Sequence, residues 1–206
     1  MLEQSGVVRS DIRSSFGTAS GTAEGVPMTL ELTILDMANG NAAFKNVAVY
    51  VWHCDRDGNY SLYSDGITGE NYLRGVQIAD GSGKVKFTSI FPACYSGRWP
   101  HLHFEVYPRQ ADITDSAQAI ATSQVAWPQA TCEAVYATAG YAKSVSNLSQ
   151  VSLSSDNVFG DDSGALQLGT VSGEVTNGYA VSLTAKVDTT TTPTGGGAPG
   201  GRPGSA

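Results

Sequence analysis

The stretch HLHFEVYP, residues 101–108, alternates between polar and apolar side chains along most of its length. A repeat of two residues is typical of a β-strand, in which neighbouring side chains project from opposite faces. Phe104 and Val106 then lie on one face, whereas His101 and His103 lie on the other, about 7 Å apart along the backbone. This stretch therefore predicts a half-buried strand that carries two adjacent imidazoles.

Further stretches share this alternation, are rich in β-branched or aromatic residues, and end at Gly, Asn, Asp or Pro. They are MTLELTILD (28–36), VAVYVWHCD (47–55) and KVKFTSIF (84–91). GEVTNGYAVSLTAKV (173–187) predicts a hairpin with Asn-Gly at its turn, and a short helical turn is expected around 131–138. We therefore expect an all-β fold, a β-sandwich of two mainly antiparallel sheets with long loops that carry the functional site.

The length of 206 residues fits one domain, since all-β domains often run to about 200 to 250 residues. Residues 1–26 are polar and Gly-rich and predict an extended arm that lies over the domain. Residues 27–188 hold the alternating segments and predict the sandwich itself. Residues 189–206, TTTTPTGGGAPGGRPGSA, predict a flexible tail because they cannot bury enough apolar area to offset the entropy of ordering.

Composition limits the partners and the compartment. A net charge of −7 with only 15% charged residues argues against a nucleic-acid partner. No apolar run approaches the roughly 18 residues that a membrane span needs. Low Lys, abundant Thr, Ser and Gly, and 3 cysteines resemble an exported protein, so we expect a secreted, extracellular protein whose leader is absent from this chain.

The three cysteines leave one thiol unpaired under any pairing. We favour a bridge between Cys94 and Cys132, with Cys54 buried and reduced. Three unpaired buried thiols remain the alternative, since connectivity cannot be read from sequence. No CxxC spacing occurs, which disfavours a zinc site.

The pair His101 and His103 suits one metal ion, but such a pair can also be a surface or hydrogen-bonded pair. Candidate partners are Tyr60, which follows the turn DRDGN (55–59), and Tyr95, which precedes His101 by six residues. A tyrosine beside a turn is normally an amphipathic cap whose hydroxyl meets water or a carbonyl. Spacing alone leaves both interpretations of the tyrosines open.

Two longer runs resemble the core of a known family. VWHCDRDGNYS, followed by NYLRGVQIADGSGKVKFTSIFPACYSGRWPHLHFEVY, is similar to the intradiol ring-cleavage dioxygenases. The resemblance is to the small secreted members of the family, which are related to the protocatechuate 3,4-dioxygenase β chain. It is dense from Val47 to Tyr107 and looser from VRSDIR (8–13) to LTAKV (183–187).

The resemblance implies a mononuclear non-haem Fe(III) whose ligands are Tyr60, Tyr95, His101 and His103. Phenolate is a hard anionic donor suited to Fe(III), and a nearby trivalent cation can ionise a tyrosine whose free pKa is about 10. The resemblance also implies that O2 opens catechol-type diols between the two hydroxylated carbons to give cis,cis-muconate-type products. Tyr95 would act both as a ligand and as a base.

Other residues receive roles from the same resemblance. Arg98 matches an arginine that stabilises charge on the activated ring, and Gln124 matches a glutamine near the substrate pocket. Without the family, Arg98 is a turn arginine that pairs with a surface carboxylate. The resemblance assigns His53 no iron role, and we expect a buried, hydrogen-bonded histidine there.

The chain departs from the family in the short interval between Tyr95 and His101, which argues against protocatechuate as substrate, and in lacking a Glu-Gly-Pro-Tyr stretch before VRSD. The secreted relatives suggest lignin-derived aromatic diols, and a homodimer is compatible with the family. The main alternative is a non-enzymatic transthyretin-like or carbohydrate-binding β-sandwich. A zinc hydrolase is a second alternative, although it normally draws on His with carboxylates or thiols.

Overall fold

The computed structural model describes residues 2–191 and contains two β-sheets. The strands of the four-stranded sheet are β3 (Ala48–Trp52), β4 (Arg74–Ile78), β6 (His101–Tyr107) and β7 (Ala121–Ala126). Their spatial order is β4-β3-β6-β7, and every neighbouring pair is antiparallel. Strand β6 is therefore an inner strand with a partner on each side.

The strands of the five-stranded sheet are β1 (Pro27–Asp36), β2 (Ala42–Ala43), β5 (Lys84–Ile90), β8 (Thr170–Glu174) and β9 (Gly178–Val187). Strand β1 is central and pairs antiparallel with β2 and β5 on one side. On its other side β1 runs parallel to β9, which pairs antiparallel with β8. The sandwich is thus mainly antiparallel, as predicted, with one parallel pair.

Both sheets contribute alternate residues to one hydrophobic core. Strand β1 buries Met28, Leu30, Leu32 and Ile34 in it, and β6 buries Leu102, Phe104 and Val106. In register, Phe104 lies opposite Val51 and Val106 lies opposite Val49 of β3. Burial of each such side chain contributes about 1.5 to 3 kcal/mol relative to exposure, so this core is the main source of stability. The other face of β6, with its two histidines, is turned away from the core.

In the described part of the chain, two α-helices lie outside the sheets. Helix α1 (Gln129–Tyr136) coincides with the helical turn predicted around 131–138, whereas the sequence did not predict α2 (Ala142–Leu148). Helix α1 packs Cys132, Val135 and Tyr136 into the core. Within residues 2–191, no helix is both long enough and apolar enough to cross a membrane.

The N-terminal segment lies along an edge of each sheet. Val8 forms a bridge with Val76 of β4, and Asp11 forms one with Thr88 of β5. Ile12 between these edges is fully buried in the main core. The segment therefore covers backbone groups that two edge strands would otherwise expose.

The domain boundaries at residues 26 and 188 stay predictions. Most of the predicted tail, residues 192–206, lies outside the described residues.

The favoured disulfide is wrong. Cys54, Cys94 and Cys132 are all free and buried, which is the alternative that the sequence left open. The Cys94 thiol donates instead to the carbonyl of Arg98, at 3.5 Å, and the Cys54 thiol donates to the carbonyl of Ala93, at 3.7 Å. Burial raises the pKa of Cys94 to about 12, so this thiol is neutral and behaves as a small apolar group with a weak donor.

Candidate active site

The outer face of the four-stranded sheet brings the predicted ligands together. His101 and His103 lie at the start of β6, where their side chains are 2% and 4% exposed. Tyr60 lies in the connection between β3 and β4, and Tyr95 lies in the connection between β5 and β6. All four side chains therefore meet where two loops cover one end of a central strand.

The polar atoms of these residues converge on one point. His101 Nε2 lies 3.1 Å from His103 Nε2, 3.1 Å from Tyr95 Oη and 3.5 Å from Tyr60 Oη. The Nδ1 atom of His101 lies 2.6 Å from the carbonyl oxygen of Trp99. Because a carbonyl can only accept, Nδ1 carries the hydrogen, and Nε2 presents its bare lone pair to the other three groups.

The turn before Tyr60 is closed by a buried carboxylate. Asp55 Oδ1 accepts hydrogen bonds from the backbone amides of Asp57 and Asn59, each at 2.9 Å. Gly58 has a φ of 88°, and a Cβ there would lie 3.2 Å from the Cβ of Tyr95. Glycine thus permits the left-handed turn and its close approach to the second tyrosine. The DRDGN motif is the local reason that Tyr60 and Tyr95 are neighbours.

Strand β4 anchors the segment just after Tyr60. The guanidinium of Arg74, which is 2% exposed, donates to the carbonyl of Ser61 at 2.9 Å and to its hydroxyl at 3.1 Å. A third hydrogen bond reaches the hydroxyl of Tyr50 at 3.0 Å. A planar guanidinium with several fixed acceptors restrains this loop, and with it the position of the Tyr60 ring.

An aromatic stack fixes the ring of His103. Trp52 lies opposite His103 in the register of β3 and β6, and the two rings stack with centroids 4.7 Å apart and an interplanar angle of 5°. Tyr50 stacks on the other side of Trp52 at 4.9 Å. The indole therefore restricts rotation of the imidazole, which keeps Nε2 directed at His101.

Arg98 and Gln124 adjoin this cluster, and a residue that the sequence did not identify joins them. Gln124 lies on β7 directly opposite His103. The Nη2 atom of Arg98 donates to Gln124 Oε1 at 2.6 Å, and its Nε atom donates to Asp156 Oδ2 at 2.9 Å. Asp156 is 2% exposed, so Arg98 pairs with a buried carboxylate rather than a surface one.

Burial sets the protonation of the four candidate ligands. It lowers the pKa of His101 to about 3 and that of His103 to about 2, in both cases with a further lowering by the charge of Arg98. Burial raises the pKa of Tyr95 against the opposing effects of Tyr60 and Arg98, and raises that of Tyr60 well above its usual value. At neutral pH the cluster therefore contains two neutral imidazoles and two neutral phenols.

These groups fit a bound metal ion. Neutral imidazole is the form that binds metals, and phenols ionise when a highly charged cation lies beside them. Two imidazole nitrogens 3.1 Å apart need either a shared proton or a common cation between them. Within the described residues, no group of three or more His, Cys, Asp or Glu side chains could hold a metal ion. The cluster described here is of a different kind, because two of its four donors are tyrosines.

His53 lies apart from the cluster. Its Nε2 atom is 2.6 Å from the hydroxyl of Ser89, and its Nδ1 atom is 2.7 Å from the carbonyl oxygen of Cys54. The side chain is 1% exposed. The prediction of a buried, hydrogen-bonded histidine is thus confirmed.

Comparisons with known proteins support the same family. A family model described as Dioxygenase matches residues 9–110, a range that includes Tyr60, Tyr95, Arg98 and both histidines of β6. No curated protein sequence matches the chain.

Solved structures share the fold at low identity. An intradiol ring-cleavage dioxygenase from Tetranychus urticae is 19% identical with a TM-score of 0.74, covering 91% of this chain and 90% of that one. A second neighbour is the dioxygenase domain of a dioxygenase and carbohydrate-binding protein fusion from Streptomyces sp. SirexAA-E. It is 19% identical with a TM-score of 0.53, and the match covers 90% of this chain and 96% of that one. Catechol 1,2-dioxygenase from Pseudomonas arvilla C-1 is also 19% identical, with a TM-score of 0.55, and the match covers 89% of this chain and 58% of that one.

The family match and the shared fold agree with the arrangement of side chains on the outer face of β6. Residues 9–110 match the dioxygenase family, and the fold of the chain is that of the intradiol ring-cleavage dioxygenases.

Proposed function

We propose that this protein is an Fe(III)-dependent intradiol dioxygenase. It opens catechol-type aromatic diols with O2 between the two hydroxylated carbons and forms cis,cis-muconate-type products. The observation that carries this proposal is the convergence of two phenol oxygens and two imidazole nitrogens around His101 Nε2. A carbohydrate-binding or transthyretin-like sandwich needs no such cluster of buried donors.

The iron would be held by Tyr60, Tyr95, His101 and His103. When bound, Fe(III) supplies a Lewis acid that ionises phenols and draws electron density from an electron-rich diol. The donor set favours the ferric state, because two phenolates are hard anionic ligands that offset most of its charge. The fixed tautomer of His101 and the stacked ring of His103 present two preoriented nitrogens.

Tyr95 and Arg98 have further roles towards the substrate. A catechol carries two phenolic protons, and an ionised Tyr95 is a base at which one of them can be held. Arg98 is fixed by two side chains, and its charge acts on all four candidate ligands. A fixed guanidinium in a buried site stabilises negative charge that develops on the ring.

The substrates that we favour are diols derived from lignin, and we propose that the protein acts outside the cell. Only five residues separate Tyr95 from His101, which leaves a short loop on that side of the site. The Streptomyces neighbour is described as a fusion with a carbohydrate-binding protein from a cellulolytic bacterium, which motivates plant-derived substrates as the first panel. Fractionation of the source culture would test the compartment.

Product analysis tests the proposed reaction. Iron-loaded protein is mixed with catechol, methylcatechols, chlorocatechols and protocatechuate in air, and oxygen uptake is recorded together with the products. We expect a muconate-type diacid, with one O2 consumed for each diol. A yellow semialdehyde, which results from cleavage beside the diol, or no uptake with any member of the panel would contradict the proposal.

A further inference from the structure

The guanidinium of Arg98 is restrained on one edge and free on the other. Its Nε and Nη2 atoms lie 2.9 Å and 3.4 Å from the two carboxylate oxygens of Asp156, and Nη2 also donates to Gln124. The Nη1 atom is buried and has no hydrogen-bond partner among the described residues. Because the guanidinium is planar, Nη1 lies on the side turned away from Asp156.

The loop that contains Asp156 is itself closed by this carboxylate. Oδ1 accepts from the amides of Val158 and Phe159 at 2.8 Å and 3.2 Å, and Oδ2 accepts from the amide of Trp99 at 2.7 Å. A capping box at Ser152 and Ser155 fixes the short 3-10 helix just before it. Asp156 therefore has no freedom to follow Arg98, and Arg98 must adopt the position that Asp156 dictates.

Hydrogen bonds keep the carboxylate of Asp156 charged in this ion pair. Although burial acts to raise the pKa of Asp156, hydrogen bonds from Arg98 and from backbone amides hold it below its usual value. The carboxylate is thus charged at neutral pH and can pair with a charged guanidinium. The side chains of Arg98 and Asp156 are 9% and 0% exposed, so solvent screens the pair little.

A buried donor without a partner is costly and calls for a functional reason. The guanidinium lies beside the candidate ligands, since its Nη2 atom donates to Gln124, the residue directly opposite His103 on β7. An anionic oxygen of the diol is the acceptor that fits an unpaired, charged N–H.

We propose that Asp156 is the positioning residue of the active site: it holds Arg98 by one edge so that Nη1 stays free for an anionic oxygen of the ring substrate. This inference rests on the proposed function for the identity of the acceptor. The positioning itself rests on the contacts of Arg98 and Asp156 alone.

A double-mutant cycle tests the proposal in the iron-loaded protein. Asp156→Asn is made both in the wild type and in Arg98→Gln, and kcat and KM for catechol are measured for all four proteins. We expect Asp156→Asn to lower kcat by about 10- to 100-fold when Arg98 is present, which is typical for partners that orient active-site groups. In the Arg98→Gln background the same change should have an effect within about 2-fold, since the residue acts through Arg98.

Iron content and colour separate positioning from structural damage. Both should match the wild type in Asp156→Asn, because the hydrogen bonds of Asp156 go to Arg98 and to backbone amides and not to the four candidate ligands. Asp80→Asn is the matched control: Asp80 also accepts two backbone amides, from Ser82 and Lys84, but it lies in a turn between β4 and β5. This control should retain wild-type kinetics. Equal losses from Asp156→Asn with and without Arg98, or wild-type kcat in Asp156→Asn, would overturn the proposal.

Nitrogen NMR of the arginine side chains tests the positioning without any turnover. In metal-free protein, or with diamagnetic Ga(III), Arg98 should show a slowly exchanging Nε proton and two separate Nη signals. Averaged Nη signals in the wild type would overturn the proposal even where Asp156→Asn fails to fold. If the wild type shows no oxygen uptake but the signals are separate, the proposed function fails while the positioning stands.

Discussion

The inner face of β6 packs Leu102, Phe104 and Val106 into the core, whereas its outer face places His101 and His103 among groups from two loops and two neighbouring strands. Contacts on the inner face are apolar and have no preferred direction, so their contribution follows the area that is buried. Contacts on the outer face depend on the direction of single lone pairs and N–H groups.

This difference means that the two faces should respond differently to substitution. A change on the inner face should reduce the stability of the whole domain while leaving the donor geometry in the folded fraction. Loss of a metal donor on the outer face should abolish chemistry with little effect on unfolding. One strand would then carry two functions that can be removed separately.

Removal of a donor on the outer face should have the largest effect. We expect His103→Ala to lose its iron and to lower kcat/KM by more than 100-fold. Loss of a partner that merely orients a metal ligand already lowers metal affinity or activity by about 10- to 100-fold. Metal analysis and oxygen uptake measure both effects. Glu105→Gln, on the same face of the same strand, is the control and should keep iron and activity; iron retained by His103→Ala would contradict the assignment.

Truncation on the inner face should be nearly as severe but of a different kind. We expect Phe104→Ala to reduce the free energy of unfolding by about 3 to 5 kcal/mol, because it leaves a cavity between the sheets. Denaturant titration measures this loss. The fraction that remains folded should still bind iron, and a loss below about 1 kcal/mol would show that the face is not packed as described.

His53 gives a pH-dependent effect that belongs to neither face of β6. Burial lowers its pKa to about 4, so below pH 6.5 the unfolded chain binds a proton that the folded chain excludes. The contribution of His53 to stability is therefore complete above about pH 6.5 and falls towards pH 4, by about 3 kcal/mol. In metal-free protein His53→Gln should make the pH dependence of unfolding shallower by this amount without abolishing it, because His101 and His103 also exclude protons; an unchanged slope would contradict a buried neutral imidazole.

The smallest effect is expected on the exposed side of the five-stranded sheet. Lys84 on β5 and Glu31 on β1 form an ion pair at 2.6 Å, with side chains 46% and 37% exposed. We expect Lys84→Met to change the free energy of unfolding only slightly and to leave iron binding unchanged, because an exposed ion pair contributes little to stability. Either a larger loss of stability or a loss of iron would mean that the two sheets are more strongly coupled than the contacts indicate.

Strands with clear alternation or many β-branched and aromatic residues could be predicted, and strands without these marks could not. β1 and β6 show regular alternation and were found close to their observed bounds. β4 was missed because the N-terminal segment covers its outer side, so its first three residues are buried without alternation. β7, ATSQVA, was missed because it contains no aromatic residue, only two β-branched residues and no regular alternation.

The site could be predicted in part for a related reason. Alternation alone pairs His101 with His103, because both belong to one strand. Tyr60 and Tyr95 required a family resemblance, since their loops meet these histidines only after the sheet has formed. Asp156 follows Arg98 by 58 residues in the chain, and no local pattern connects the two, so their ion pair emerged only in the fold.

Titration of the metal-free protein with Fe(III) determines whether Tyr60, Tyr95, His101 and His103 together form an iron site. Absorption in the visible range is followed to saturation and bound iron is counted. We expect one iron per chain with a red to brown tyrosinate-to-iron charge-transfer band, which weakens in Tyr60→Phe. A protein that stays colourless and iron-free after this reconstitution would contradict this assignment.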